Sequence, residues 1–253
     1  MFNFGAGAIW VTPQQDAMGA IIGAPTPLMC GTMQDNEIDF KFELKELHGD
    51  KQFAVAVGRG KGSVSGKAKW ADIRMGMLES IVFGQSGSAG LVSVNYDTVG
   101  TLIAATVTVT PPGSGTFDAD LGVISVATGR PFKRVTTAPA TGEYTVTALG
   151  AYGFNTQDMS GGAKAYISYR YTAATPSTAR KLSIQNLPMG YAPSFRTDLY
   201  CQYNGQSFIL TLNRCVSEGI KLGNKSDDFM VPDMSWKCFA DTAGIIGTLS
   251  AVE

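Results

Sequence analysis

Histidine is all but missing from this chain: His48 stands alone among 253 residues. A histidine triad or a histidine metal cage would have to rest on that one side chain, which reads as a surface residue in a turn with Gly49. Cysteine is sparse too. Cys30, Cys201, Cys215 and Cys238 are scattered, with no CxxC pair, so they read as reduced core residues and not as a disulfide framework. Charged residues make up only 16%, where about a quarter is usual for soluble domains. The net charge of −1 and the lack of a basic cluster exclude a general nucleic-acid reader. No apolar run approaches the roughly 18 residues of a membrane span. The first residues lack the basic start and apolar core of a signal peptide, so no secretory leader is expected.

The motifs of catalysis are missing as well. Gly58-Arg-Gly-Lys-Gly62 matches neither the dinucleotide nor the nucleotide phosphate loop. Gly66-Lys67 is followed by Ala68 where a phosphate loop needs Ser or Thr. No Gly-x-Ser-x-Gly elbow occurs. Asp118, Asp120 and the pair Asp227 and Asp228 are carboxylates of the kind that serve acid–base work or calcium, and they read as ordinary loop acids. The expectation is no catalytic residue, no metal site and no cofactor.

What the chain has in quantity is β pattern and glycine, 30 of the latter. From Glu37 to Leu44 the alternation is unbroken: Ile38, Phe40, Phe42 and Leu44 on one face, Glu37, Asp39, Lys41 and Glu43 on the other. That predicts a strand with one packed and one wet face. A turn at His48 to Asp50 leads to the apolar run Phe53 to Val57. Gly58, Arg59, Gly60, Lys61 and Gly62 then read as a second turn, too rich in glycine for a strand interior. Alternation resumes from Ser63 to Trp70, with Val64, Ala68 and Trp70 inward and Lys67 and Lys69 outward. Asp72 is placed to cap a helix carrying Ile73, Met77, Leu78, Ile81 and Val82 on one side, stopped by Gly84.

Around this block, Ala8 to Thr12 predicts a short strand, and Pro13 to Met29, with Pro25 and Pro27, an arm without regular structure. Linkers are read at Gln85 to Gly90 and Ala173 to Thr178. Short strands between them start near Leu91, Ala104, Gly122, Lys133, Glu143, Ala151 and Ala165, with turns every ten residues or so. Beyond, Arg180 to Gln185, Thr197 to Tyr203, Ser207 to Leu212 and Phe229 to Phe239 read as strands. Asn204-Gly205 is a strong hairpin signal. The fold class is mainly β: a sandwich or barrel with one flanking α-helix, plus an inserted small β module. The core is expected in 1–100 and 175–253, the insert in 101–174.

Lys45-Glu-Leu-His-Gly49, Gln52-Phe-Ala-Val-Ala-Val57 and Gly60-Lys-Gly-Ser-Val-Ser-Gly-Lys-Ala-Lys69 resemble the N-terminal half of tail tube proteins of long-tailed bacteriophages. Asn186-Leu-Pro-Met-Gly190, Lys225-Ser-Asp-Asp-Phe229 and Gly247-Thr-Leu-Ser250 are similar to the family's C-terminal third. The resemblance covers most of 1–84 and 180–253. Asp120 to Val123 and Ala127 to Pro131 resemble inserts of phage virion proteins. The resemblance implies six copies in a ring, rings stacked into the tail tube of the virion, and phage DNA passing without sequence-specific binding. It implies as partners the chain itself, a tape measure and a tail terminator. On that footing Glu37, Asp39, Lys41, Glu43, Lys67 and Lys69 are expected at the lumen. Pro13, Pro25, Pro27 and Gly58 to Gly62 are expected at subunit contacts, and 101–174 on the outside. Two other readings stay open: a capsid decoration or baseplate protein, and a carbohydrate-binding β module.

Overall fold

The computed structural model describes residues 5, 7–48, 50–72, 74–90, 92–101, 106–159, 163–174, 180–224 and 226–251, with backbone alone at 97–101 and 159. Expectations for Gly49, Ile73, Leu91, Ala104, 175–178 and Lys225 fall outside the described residues. The protein is mainly β, with 55% strand and 6% helix among the described residues. It divides into two compact units, 1–86 with 182–253, and 87–181.

Unit 1 begins with β1 (Ala8–Gln15), β2 (Leu28–Met29), β3 (Met33–His48) and β4 (Ala54–Trp70). A helical turn, α1 (Met75–Met77), follows and runs on as a π-helix (Leu78–Val82). Unit 2 carries β5 (Ser88–Ala89), β6 (Val92–Thr101), β7 (Thr106–Thr108), β8 (Thr116–Ser125) and β9 (Lys133–Arg134). It continues through β10 (Glu143–Val146), β11 (Ala151–Phe154), β12 (Lys164–Thr172) and β13 (Arg180–Lys181). The chain then returns to unit 1 in β14 (Ser194–Tyr203), β15 (Gln206–Lys221), β16 (Asp233–Cys238) and β17 (Gly247–Ala251).

The sheet of unit 1 runs β2-β1-β14-β15-β16-β4-β3, with β17 added on β15. Every pairing in it is antiparallel. The long strand β15 pairs β17 through Phe208 to Leu212 and β16 through Cys215 to Lys221, so two short strands share one of its edges in succession. The Asn204-Gly205 turn has positive φ at both residues, as a type I′ hairpin requires, and sets Tyr203 opposite Gln206. Inward residues gather Ile9, Val11, Trp70, Phe195, Met234 and Trp236 into one core against Met77 and Ile81 of the helical segment. Burying side chains of this size contributes about 1.5–3 kcal/mol each, which is what holds the sheet around the helix.

Unit 2 has a four-stranded sheet, β7-β11-β10-β9, a three-stranded sheet, β6-β12-β8, and a ribbon of β5 with β13. Tyr152, Phe154, Ile167 and Tyr169 centre its core. The Asp120 carboxylate accepts the hydroxyls of Tyr144 at 2.7 Å and Tyr152 at 3.0 Å, with Arg134 at 3.7 Å. Burial, with Asp120 beside them, pushes both phenols above their ordinary range.

The structure corrects four expectations. The second unit starts at Gly87 and ends at Lys181, not at 101 and 174, because β6 pairs β12, and β5, within the first linker stretch, pairs β13, which lies beyond the second. Pro13 lies inside β1 and is buried; a register shift between Pro13 and Gln15 absorbs its missing N–H. The stretch after it is bound to the sheet, through β2, a Gln15–Ile21 bridge and Ala17 N–H donating to Gly84 O at 3.0 Å. Asp72 does not cap the helix: its carboxylate accepts Thr32 N–H at 2.7 Å and Arg74 Nε–H at 2.9 Å, tying the sheet to the chain before α1. Finally, Gly58 to Gly62 is no turn but the interior of β4.

Gly84 does stop the helix, with φ of 60° and Ala17 so near that a Cβ would come 2.5 Å from its nitrogen.

Candidate assembly surface

Strands β3 and β4 are far longer than the five or six residues usual for a strand. Their length explains the surface they make. Strand β16 covers β4 only from Val64 to Lys69. Beyond that, among the described residues, Lys41 to His48 and Ala54 to Ser63 pair only with each other. At about 3.3 Å per residue this two-stranded arm extends roughly 30 Å. On its other side β3 is the last strand of the sheet.

The arm carries an apolar face that the described residues leave largely exposed. Phe40 is 47% exposed, Phe42 51% and Leu44 64%. Val57 stands opposite Glu46, the next residue of that series on β3, and is 59% exposed. Val55, two residues before Val57 on β4, is 73% exposed, and Leu47, on the opposite face of β3, is exposed as well. The alternation from Ile38 to Leu44 therefore marks a β-strand, as expected, but its apolar face is packed only as far as Ile38.

Glycine is what permits the arm's geometry. Gly62 faces Phe42, whose ring would lie 3.2 Å from an added Cβ, and Gly60 approaches the backbone of Glu43. A register shift between Phe42 and Leu44 lets Arg59 lie over the Phe42 ring, 4.2 Å from its centroid. At the base of the arm an apolar groove of about 390 Å³ opens between Phe40, Phe42, Leu210, Leu212, Ile246 and Leu249.

The polar face of the same strands is a lattice of opposite charges. Glu37 stands opposite Lys67 and Asp35 opposite Lys69. Asp39 pairs with Lys41 at 2.5 Å, Lys69 with Asp35 at 3.9 Å, and Lys67 with Asp233 of β16 at 3.3 Å. Lys237 of β16 reaches Glu218 of β15 at 2.6 Å. The Asp39 carboxylate raises the Lys41 ammonium above its ordinary value, first through their hydrogen bond. Glu43 is exposed farther along the arm. So the six charged residues expected together do lie on β3 and β4, and β16 and β15 extend their pattern.

The other expected contact residues are dispersed. Pro13 is buried in β1, Pro25 is half-buried and Pro27 exposed. Pro25 lines a groove of about 620 Å³ with Ile21, Arg196, Arg214 and Asp241. His48 ends β3, with Nε2 3.2 Å from the Glu46 carboxylate. Among the described residues, no three His, Cys, Asp or Glu stand together as a metal site.

No protein-family model matches the chain, and no curated protein matches it.

Proposed function

We propose that this chain is a structural subunit of a phage tail tube, assembling as closed, hexameric rings that stack into a tube for DNA. The β3–β4 arm carries the reading. A long strand at the end of a sheet is a template for pairing with another chain, and an uncovered apolar face beside it is a liability in a monomer. Both are resolved if each copy meets the next edge to edge around a ring, since closure leaves no edge exposed. The charged face of β3 and β4 then lines the lumen. Its signs alternate, so it offers passing phosphate no continuous basic track. In this reading 87–181 lies outside the wall. The resemblance of the β3–β4 sequence to tail tube proteins points the same way.

Sedimentation velocity on the purified protein, followed by negative-stain imaging, tests this. Rings or long tubes of uniform width are expected. Spikes bound to capsids would favour a decoration protein, and a monomer that binds glycan a carbohydrate module. Either result would sink the tube reading.

A further inference from the structure

We propose that Cys215 and Cys238 are a disulfide-forming site, a position where a two-electron thiol oxidant ties β15 to β16. The two residues lie directly opposite each other in the antiparallel pair, 23 residues apart in the chain. Their sulfur atoms are 3.1 Å apart. Phe239 N–H donates to Arg214 O at 3.0 Å, a bond that flanks the pair, so 215 and 238 occupy a non-hydrogen-bonded site of the ladder. Opposed Cα atoms at such sites stand about 4.5 Å apart, within the range a disulfide spans, and small side-chain rotations bring the sulfurs to bonding distance. Cys30 precedes β3 and Cys201 faces Phe208, so neither has this register.

The two thiols differ in the way a stepwise oxidation needs. Cys215 is sealed in the core, while Cys238 is half-buried and is the one an oxidant reaches. The hydrogen bond from Cys215 favours the Cys238 thiolate and lowers its pKa, whereas the same bond and burial raise that of Cys215. Burial pushes Cys30 up to about 12 against the opposing charge of Arg74, and raises Cys201, which keeps both as thiols.

With diamide as oxidant, the Cys238 thiolate adds to the N=N bond and the distal nitrogen takes a proton. The Cys215 sulfur then attacks the Cys238 sulfur and loses its proton. The S–N bond breaks, and the hydrazine leaves with that second proton. Two thiols lose two electrons and two protons, and the azo group is reduced to a hydrazine.

The test treats the native, full-length protein with diamide, then denatures it, alkylates the remaining thiols and maps the peptides by mass spectrometry. The expected product is a single chain lighter by two hydrogen atoms, with a Cys215–Cys238 linked peptide, Cys30 and Cys201 alkylated, and a raised thermal midpoint reversed by dithiothreitol. Four alkylated cysteines, a linkage through Cys30 or Cys201, or a disulfide between chains would overturn the proposal. In Cys238→Ala, Cys215 is expected to stay reduced. Should that variant not fold, the peptide map of the unsubstituted protein decides alone.

Discussion

Trp236 lies over Gly66, its partner across β16 and β4, so closely that a Cβ on that glycine would come 2.2 Å from the indole. Gly66 is the one inward position between Val64 and Ala68, and the absent side chain is the space the indole fills. Gly66→Ala is therefore expected to destabilise unit 1 by about 1–3 kcal/mol, the range for overpacking a filled core. Urea unfolding followed by Trp fluorescence measures it. The double substitution Gly66→Ala, Trp236→Phe should recover part of the loss, because the two share one space. Strict additivity would show that the indole is not what the methyl meets.

The insert offers a polar counterpart. Asp120 holds two tyrosine hydroxyls whose rings are buried. Asp120→Ala leaves both without that acceptor, at a cost on the order of 2–5 kcal/mol. Because this network lies wholly within 87–181, the loss should appear as earlier melting of those residues in hydrogen exchange, with protection of β14 and β15 unchanged. Equal loss in both units would mean that they unfold together.

Most strands of both units were legible because alternation and turn chemistry act locally. Ala151 to Phe154 and the Asn204-Gly205 hairpin fall where the sequence puts them. Gly58 to Gly62 misled because glycine was read by its backbone freedom, while here it makes room for Phe42 and Arg59 across the pair. Asp72 misled because its local helix-capping pattern lost to a partner 40 residues away, Thr32. The exposed face of the arm was hidden for a different reason: periodicity tells which residues share a face, and only the count of neighbouring strands tells whether that face is covered. The Cys215–Cys238 contact is likewise set by register between distant strands.

That exposed face yields a test that separates folding from assembly. Leu44→Ser with Val57→Ser removes apolar surface that is mostly exposed to solvent in the single chain. Thermal stability of the monomer is expected to stay within about 0.5 kcal/mol of the parent. Ring formation, read by sedimentation velocity, should be lost. Unimpaired rings would remove the arm from the interface.

Acid should loosen the end of unit 1 that carries β17. Asp241 accepts Ile245 N–H and Ala243 N–H at 2.9 Å each and the Asn213 amide at 2.8 Å. The Ile245 bond, first of these, holds its pKa below the ordinary carboxylate value. A depressed folded pKa means that the unfolded chain binds the proton more readily. The stabilisation is thus complete above the unfolded value, about 3.9, and is lost as pH falls through the folded one. A thermal midpoint that drops below about pH 4, with a shallower drop in Asp241→Asn, is expected. Parallel curves for the two proteins would place the acid sensitivity elsewhere.

The charged face of β3 can be tested by sign. Glu37 opposes Lys67 and Asp39 pairs with Lys41, so each carboxylate now balances a lysine beside it, while Glu43 is exposed. Converting Glu37, Asp39 and Glu43 together to Lys leaves a continuous basic strip on β3. On an outer surface this strip would not affect DNA passing through the tube. In a lumen it would face the phosphates along the whole bore, and the release of counterions would favour retention at low salt. Variant tubes are therefore expected to assemble, to hold double-stranded DNA in low salt and release it as salt rises, and to give phage that eject poorly. Each single substitution should fold normally, since exposed ion pairs contribute at most about 1 kcal/mol. Assembled variant tubes with normal ejection and no retained DNA would put this face outside the bore, even if the ring itself is correct.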